Sequence, residues 1–187
     1  VDKSVERPFY FTKSRDTLLD SDSTTPYPPE TQNFHFEMEM VVAIGKAGFR
    51  VGLDSAHELI YGYAAGLDMT RRDLQLVARD KGRPWDLGKD VEQSSVCSEI
   101  VPMQGQIIDQ GTIELEVNGQ TQQSSNVDKL IWSVREIIAD LSLFYHLQPG
   151  DLIYTGTPEG VGAVHPGDKI TGRVEGVGTL ELTVGQP

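Results

Sequence analysis

Between Phe34 and Met40 the chain alternates strictly. Phe34, Phe36, Met38 and Met40 are apolar, and His35, Glu37 and Glu39 between them are polar. An alternation of period two is the mark of a β-strand, which turns successive side chains to opposite faces. One face of this strand is suited to a core. The other carries two carboxylates whose side-chain origins lie about 7 Å apart. Carboxylates that close repel unless something positive sits between them. A third carboxylate, Asp68, ends the apolar run Tyr61–Leu67. Glu37, Glu39 and Asp68, brought to one point, form a donor set for a single hard divalent cation, Mg²⁺ or Mn²⁺. The competing reading makes the two glutamates the wet face of an ordinary strand, where most charged side chains reside.

The 187 residues suffice for one domain with a substantial core, and no internal repeat or low-complexity segment divides them. The formal net charge of −12 opposes binding to nucleic acid, which needs clustered Lys and Arg. No apolar stretch is long enough to span a bilayer, and no signal peptide is visible. Cys97 is the single cysteine, so no intrachain disulfide forms. That usage suits a reducing cytoplasm. Its expected role is that of a small buried hydrophobe.

Strand patterns recur at Met40–Ile44, Ile113–Val117, Leu152–Tyr154, Lys169–Val174 and Leu180–Val184, and Asn118-Gly119 marks a hairpin turn. Leu18–Pro29 is turn-rich and reads as an ordered loop. Thr70 and Asp73 have capping-box spacing, which predicts a helix from Thr70 to about Lys81 that stops at Gly82. Leu130, Val134, Ile137, Ile138 and Leu141 keep helical spacing and predict a second helix over Asp128–Tyr145. Many strands and few helices give an α+β, mainly β, domain.

The run Thr155-Gly-Thr-Pro-Glu-Gly-Val-Gly162 lacks the Gly-Lys-Ser/Thr of a phosphate loop and the following helix of a dinucleotide loop. Its freed amides suit a carboxylate. Lys89 follows the apolar, turn-prone Trp85–Gly88, and beside a metal it would steady an enolate by charge. Read alone, it is a surface lysine. Gln75 is close enough in sequence to Asp68 to reach the same pocket. Arg71 and Arg72 are carboxylate contacts, or pair with Asp73 and solvent. His35 shares the face of Glu37 and Glu39. No histidine pair has zinc-ligand spacing, and no Gly-x-Ser-x-Gly elbow is present.

Together these segments resemble the fumarylacetoacetate hydrolase superfamily, in its acylpyruvase branch. The matching runs are Pro8–Lys13, Asn33–Gly45, Gly62–Gln75, Lys81–Lys89, Leu115–Gly119 and Gly150–Gly162, in family order. The resemblance implies a fold of rolled, packed mixed β-sheets and a homodimer. It implies metal ligation by Glu37, Glu39 and Asp68. It gives catalytic roles to Lys89 and Gln75 and substrate contacts to Thr157, Arg72 and Gly156. It further implies hydrolysis of the carbon–carbon bond of a small 2,4-dioxo acid such as fumarylpyruvate, a step of gentisate-type aromatic catabolism.

Two departures stand out. Phe36 replaces a second histidine. The family's water-activating pair, a His and a Glu three residues later ahead of the Phe-x-Lys run, is absent before Phe11-Thr-Lys13. Since the chain opens on Val1 and not Met, the expectation is that this lid segment has been left out of the sequence. The alternatives are a related metal-enolate enzyme (an oxaloacetate decarboxylase or a hydroxymuconic-type isomerase or decarboxylase), a silent oxo-acid binding module, and a purely structural β-domain.

Overall fold

The computed structural model describes residue 3 and residues 5–187. Its strands, in chain order, begin with β1 (Leu18–Asp20), β2 (Ser23–Thr25), β3 (Phe34–Phe36), β4 (Met38–Ile44), β5 (Ile60–Asp68) and β6 (Thr70–Arg71). They continue with β7 (Ser95–Cys97), β8 (Val101–Pro102), β9 (Thr112–Val117) and β10 (Gln120–Asn126). The last four are β11 (Leu152–Tyr154), β12 (Gly162–Val164), β13 (Lys169–Val174) and β14 (Gly178–Val184). The α-helices are α1 (Arg72–Asp80), α2 (Asp86–Lys89) and α3 (Val134–Leu141). The mainly β architecture expected from the patterning is observed.

Three sheets result. One has the order β1-β7-β5-β4-β11, with β8 also on β5; a second runs β10-β9-β13-β14-β2; a third, small one runs β12-β3-β6. The pairing is antiparallel except for β1 with β7 and β14 with β2. The core lies between the two large sheets. Met38, Met40 and Leu67 of the first sheet and Leu115, Ile170 and Leu180 of the second are all sealed from solvent. Helix α3 closes one side of this core with Val134, Ile137 and Ile138. Among the described residues, no helix is long and apolar enough to cross a membrane.

The alternation at Phe34–Met40 is realised across two sheets. The chain leaves the small sheet after Phe36 and enters the large one at Met38, so Glu37 sits on the seam. Phe34, Phe36, Met38 and Met40 fill the core, as their spacing requires. The Asn118-Gly119 hairpin forms as expected, both residues taking positive φ (53° and 76°), the geometry of a type I′ turn. Leu18–Pro29 is not wholly loop. It supplies β1 and β2, both at sheet edges and both ahead of the first proline of the segment, so no ladder bond is lost to proline.

The helices need correction. Helix α1 starts at Arg72, not Thr70, because the expected cap is engaged elsewhere. Thr70 Oγ1 donates to the Asp68 carbonyl. Asp73 accepts from Thr31 Oγ1 at 2.6 Å and from the Gln32 amide at 3.2 Å. The stop at Gly82 is as expected, with φ of +61°. The second helix covers Val134–Leu141 rather than Asp128–Tyr145. Ser133 and Glu136 form the capping box that sets its start. The stretch before it is a single 3-10 turn, Val127–Lys129, capped by Asn126, after which Leu130 is extended.

Asp73 ties the start of α1 to the Thr31–Gln32 loop, and the tie has a pH signature. Burial pushes its carboxyl upward, but the hydrogen bonds from Thr31, Gln32 and Leu74 outweigh this and hold it below the usual carboxylate range. A folded-state value below the unfolded one stabilises the fold above the unfolded value. That stabilisation is lost as pH falls through the folded one. Urea midpoints measured from neutral to strongly acid pH should therefore fall less steeply for Asp73→Asn than for the wild type. Parallel curves would show that this tie is energetically silent.

Candidate metal centre

The register of β4 against β5 builds the centre. Met38 faces Leu67 and Glu39 faces Gly66, so Glu37 falls opposite Asp68, and the Asp68 amide donates to the Glu37 carbonyl at 2.9 Å. A carboxylate oxygen from each of Glu37, Glu39 and Asp68 lies within 4.8 Å of the others. All three residues are buried, at 7, 4 and 1% exposure, which removes the wet-strand reading.

Such a cluster is tolerable only when it is compensated. Lys89 Nζ donates to Glu37 Oε2 at 2.8 Å, to Asp68 Oδ2 at 2.5 Å and to Thr70 Oγ1 at 2.8 Å. An ammonium has three N–H groups, and here each has a partner. The surface-lysine reading fails as well, since Lys89 is 1% exposed at the end of α2. Arg72 Nη2 pairs with Glu37 Oε1, its Nη1 with Gln75 Oε1, and its Nε donates to His35 Nδ1 at 3.4 Å.

Lys13 completes the set, donating to Asp68 Oδ1 at 2.8 Å and to the Met69 carbonyl at 3.1 Å. Sequence reasoning gave Lys13 no role. Its only signal was parity with Phe9 and Phe11. Burial alone would raise the Asp68 carboxyl, but the charges of Lys13 and Lys89 hold it below the carboxylate range.

Glu39 is different. Among the described residues it has no cationic partner, and its polar contact is the Gly156 amide at 2.7 Å. Burial, and then the charges of Asp68 and Glu37, push its carboxyl well above the usual range. A buried carboxylate without a counter-cation, beside two others, suits a divalent ion held through oxygen.

The glycine run lies over this end of the centre. Gly156 has φ of +104°, which turns its amide onto Glu39; the carboxylate it holds is the protein's own. On the same loop Thr157 Oγ1 accepts from Gln123 Nε2 at 2.9 Å. Gln123 is buried and also accepts from the Met38 amide at 3.0 Å, so it braces the loop against β4. Nothing in the polar run Gln120–Asn126 singled it out from the sequence.

His35 lies beside the glutamates but is fully engaged. Arg72 Nε can only donate, so Nδ1 accepts, and Nε2–H donates to Asn33 Oδ1 at 2.8 Å. Burial and the Arg72 charge push its ring down to about 4.

The Fumarylacetoacetate (FAA) hydrolase C-terminal family matches residues 2–185, and the chain belongs to that family. It is 77% identical over 185 residues to a fumarylpyruvate hydrolase of Ralstonia sp, covering 99% of this chain and 96% of that protein. The crystal structure of a Pseudomonas aeruginosa fumarylpyruvate hydrolase in complex with Mn²⁺ and pyruvate superposes with a TM-score of 0.95 at 43% identity, over 100% of this chain and 82% of the other. A mitochondrial oxaloacetate decarboxylase of Dictyostelium discoideum is 37% identical over 92% of this chain and 80% of its own length. The gap between 77% and 37% favours the hydrolase over the decarboxylase reading.

Lys89 is delivered by a close approach of two helices. A Cβ on Gly88 would lie 2.8 Å from both Gln75 Cβ and Gln75 N, atoms that cannot swing aside. Gly88→Ala should lower stability by about 1–3 kcal/mol in urea unfolding, as overpacking does. It should also lift α2, so that an amine-reactive label modifies Lys89 faster. Unchanged labelling with lowered stability would separate this contact from the centre.

Proposed function

We propose that this chain hydrolyses fumarylpyruvate to fumarate and pyruvate, with Glu37, Glu39 and Asp68 holding one Mg²⁺ or Mn²⁺. The carrying observation is the buried three-carboxylate centre, in which Glu39 has no cationic partner among the described residues, in a chain 77% identical to a fumarylpyruvate hydrolase. A cation held there would act as a Lewis acid on the 2-oxo acid end of the substrate.

The remaining work belongs to side chains. Arg72 and Gln75, already bonded to each other, face the substrate carboxylate as one donor unit, and Thr157 contacts the substrate from the glycine run. Water adds to the 4-carbonyl, and its oxygen stays on the fumarate. The bond between carbons 3 and 4 breaks with its electron pair on the pyruvate side, giving an enolate that takes a proton at carbon 3. Lys89 meets that developing charge with a fixed positive charge in a site closed to bulk water. His35 is not the base that activates the water, because both its ring nitrogens are engaged and a group near 4 accepts protons weakly.

Charge supports a dianionic substrate. Three carboxylates against Lys13, Lys89 and Arg72 sum to zero, so a divalent cation leaves an excess that matches two substrate carboxylates. The resemblance adds a homodimer and a single catalytic domain, and the lone buried cysteine suits a cytoplasmic setting.

Chelation should stop cleavage of fumarylpyruvate, and Mg²⁺ or Mn²⁺ should restore it. Glu39→Ala should lose at least about 10³-fold in kcat/KM, the several kcal/mol that a Lewis acid supplies. No added metal should rescue it, and its circular dichroism should be unchanged. Wild-type turnover indifferent to chelation would sink the proposal.

A further inference from the structure

Residues 7–13 belong to no helix or strand. Their side chains divide between two sets of partners. Phe9 and Phe11 meet Trp85, with ring centroids 5.5 and 5.9 Å apart. The Phe11 ring centroid lies 4.8 Å from Lys89 Nζ. Lys13, of the same parity, reaches Asp68. Tyr10 turns the other way and donates its hydroxyl to Asp140 Oδ2 at 3.1 Å. Arg7 donates to Asp140 Oδ1 through Nε at 3.1 Å and Nη2 at 2.5 Å. Asp140 belongs to α3, which supplies none of the residues of the metal centre.

We infer that Asp140 is a positioning residue: it seats the strap Arg7–Lys13 so that Phe11 closes over Lys89 and Lys13 is held on Asp68. At this end the strap is further supported by Phe144 beneath Arg7 and by the packing of Tyr10 against the core. Phe9 and Phe11 are 72 and 39% exposed, and no ladder bond crosses to a sheet. At its far end the Ser14 amide donates to Asp90 Oδ1 at 2.7 Å. The side chains that touch the centre, Phe11 and Lys13, thus lie between the Asp140 tie and the Asp90 tie. Releasing the Asp140 tie frees Phe11 before it frees Lys13, and a small displacement of catalytic groups is costly.

The test uses Asp140→Ala, Asp140→Asn and Glu136→Gln. Glu136→Gln removes the negative charge that pairs with Lys3 at the start of α3, and Glu136 makes no hydrogen bond or ion pair with residues 7–13. Trp85 is one of only two tryptophans. In a Trp132→Phe background, acrylamide quenching therefore reports whether Phe9 and Phe11 cover it. Asp140→Ala should raise the quenching of Trp85. It should also lower kcat/KM on fumarylpyruvate by about ten- to hundredfold, mainly in kcat. Asp140→Asn, which keeps an oxygen for the Tyr10 hydroxyl, should recover most of both. Glu136→Gln should lower the melting temperature and leave both unchanged. Unaltered quenching in folded Asp140→Ala would overturn the inference, as would equal changes in Glu136→Gln. The activity measurement rests on the hydrolase reading, whereas the quenching does not. If the wild type failed to cleave fumarylpyruvate while Asp140→Ala still exposed Trp85, the reaction assigned above would fall and the seating would stand.

Discussion

The backbone bond from the Asp68 amide to the Glu37 carbonyl is the point on which the centre depends. It is the last rung between β4 and β5, made where the chain crosses from one sheet to another. Because the rung fixes the register, two carboxylates distant in sequence face each other without any loop having to fold onto them. Glu39 joins them by strand spacing alone. Rigid strands, not loops, therefore carry the acidic groups, which suits a site whose geometry must be kept tight.

Three cations make such a concentration of negative charge possible, and each comes from a different element. Lys13 comes from the strap, Arg72 from the first residue of α1, and Lys89 from the last residue of α2. The two helices approach at Gly88 as closely as backbones allow. The network is consequently a property of the tertiary fold, in that loosening any one element leaves a buried charge uncompensated.

The carboxylates were legible in the sequence because strand alternation is a local code, and so were the core face, the hairpin and the strands Leu152–Tyr154 and Lys169–Val174. Lys89 could be read as functional only through its neighbours in the family pattern. Its own residues predict a surface lysine, and burial is decided by α1 packing on α2. The helix starts were misread for a related reason. Thr70 and Asp73 have the right spacing for a cap, but Thr70 donates back to the Asp68 carbonyl and accepts from Lys89, and Asp73 is taken by Thr31. Lys13 and Gln123 were missed because their roles come from contacts across 55 and 85 residues of chain, which no local pattern records.

The seam at Glu37 also bears on how the chain finds its fold. The side-chain period of a strand is two, so a slip of one residue exchanges its faces. In such a mispaired state of β4, Glu37 and Glu39 would point into the core toward Leu115, Ile170 and Leu180, away from Lys13, Lys89 and Arg72, and Met38 and Met40 would leave it. Burying an unpaired carboxylate in apolar surroundings costs several kcal/mol. Two of them would take up most of the margin by which a domain of this size is stable, about 5–15 kcal/mol. The acidic residues that suit the site to a metal therefore also police strand pairing, and β4 and β5 have one register in which they can rest.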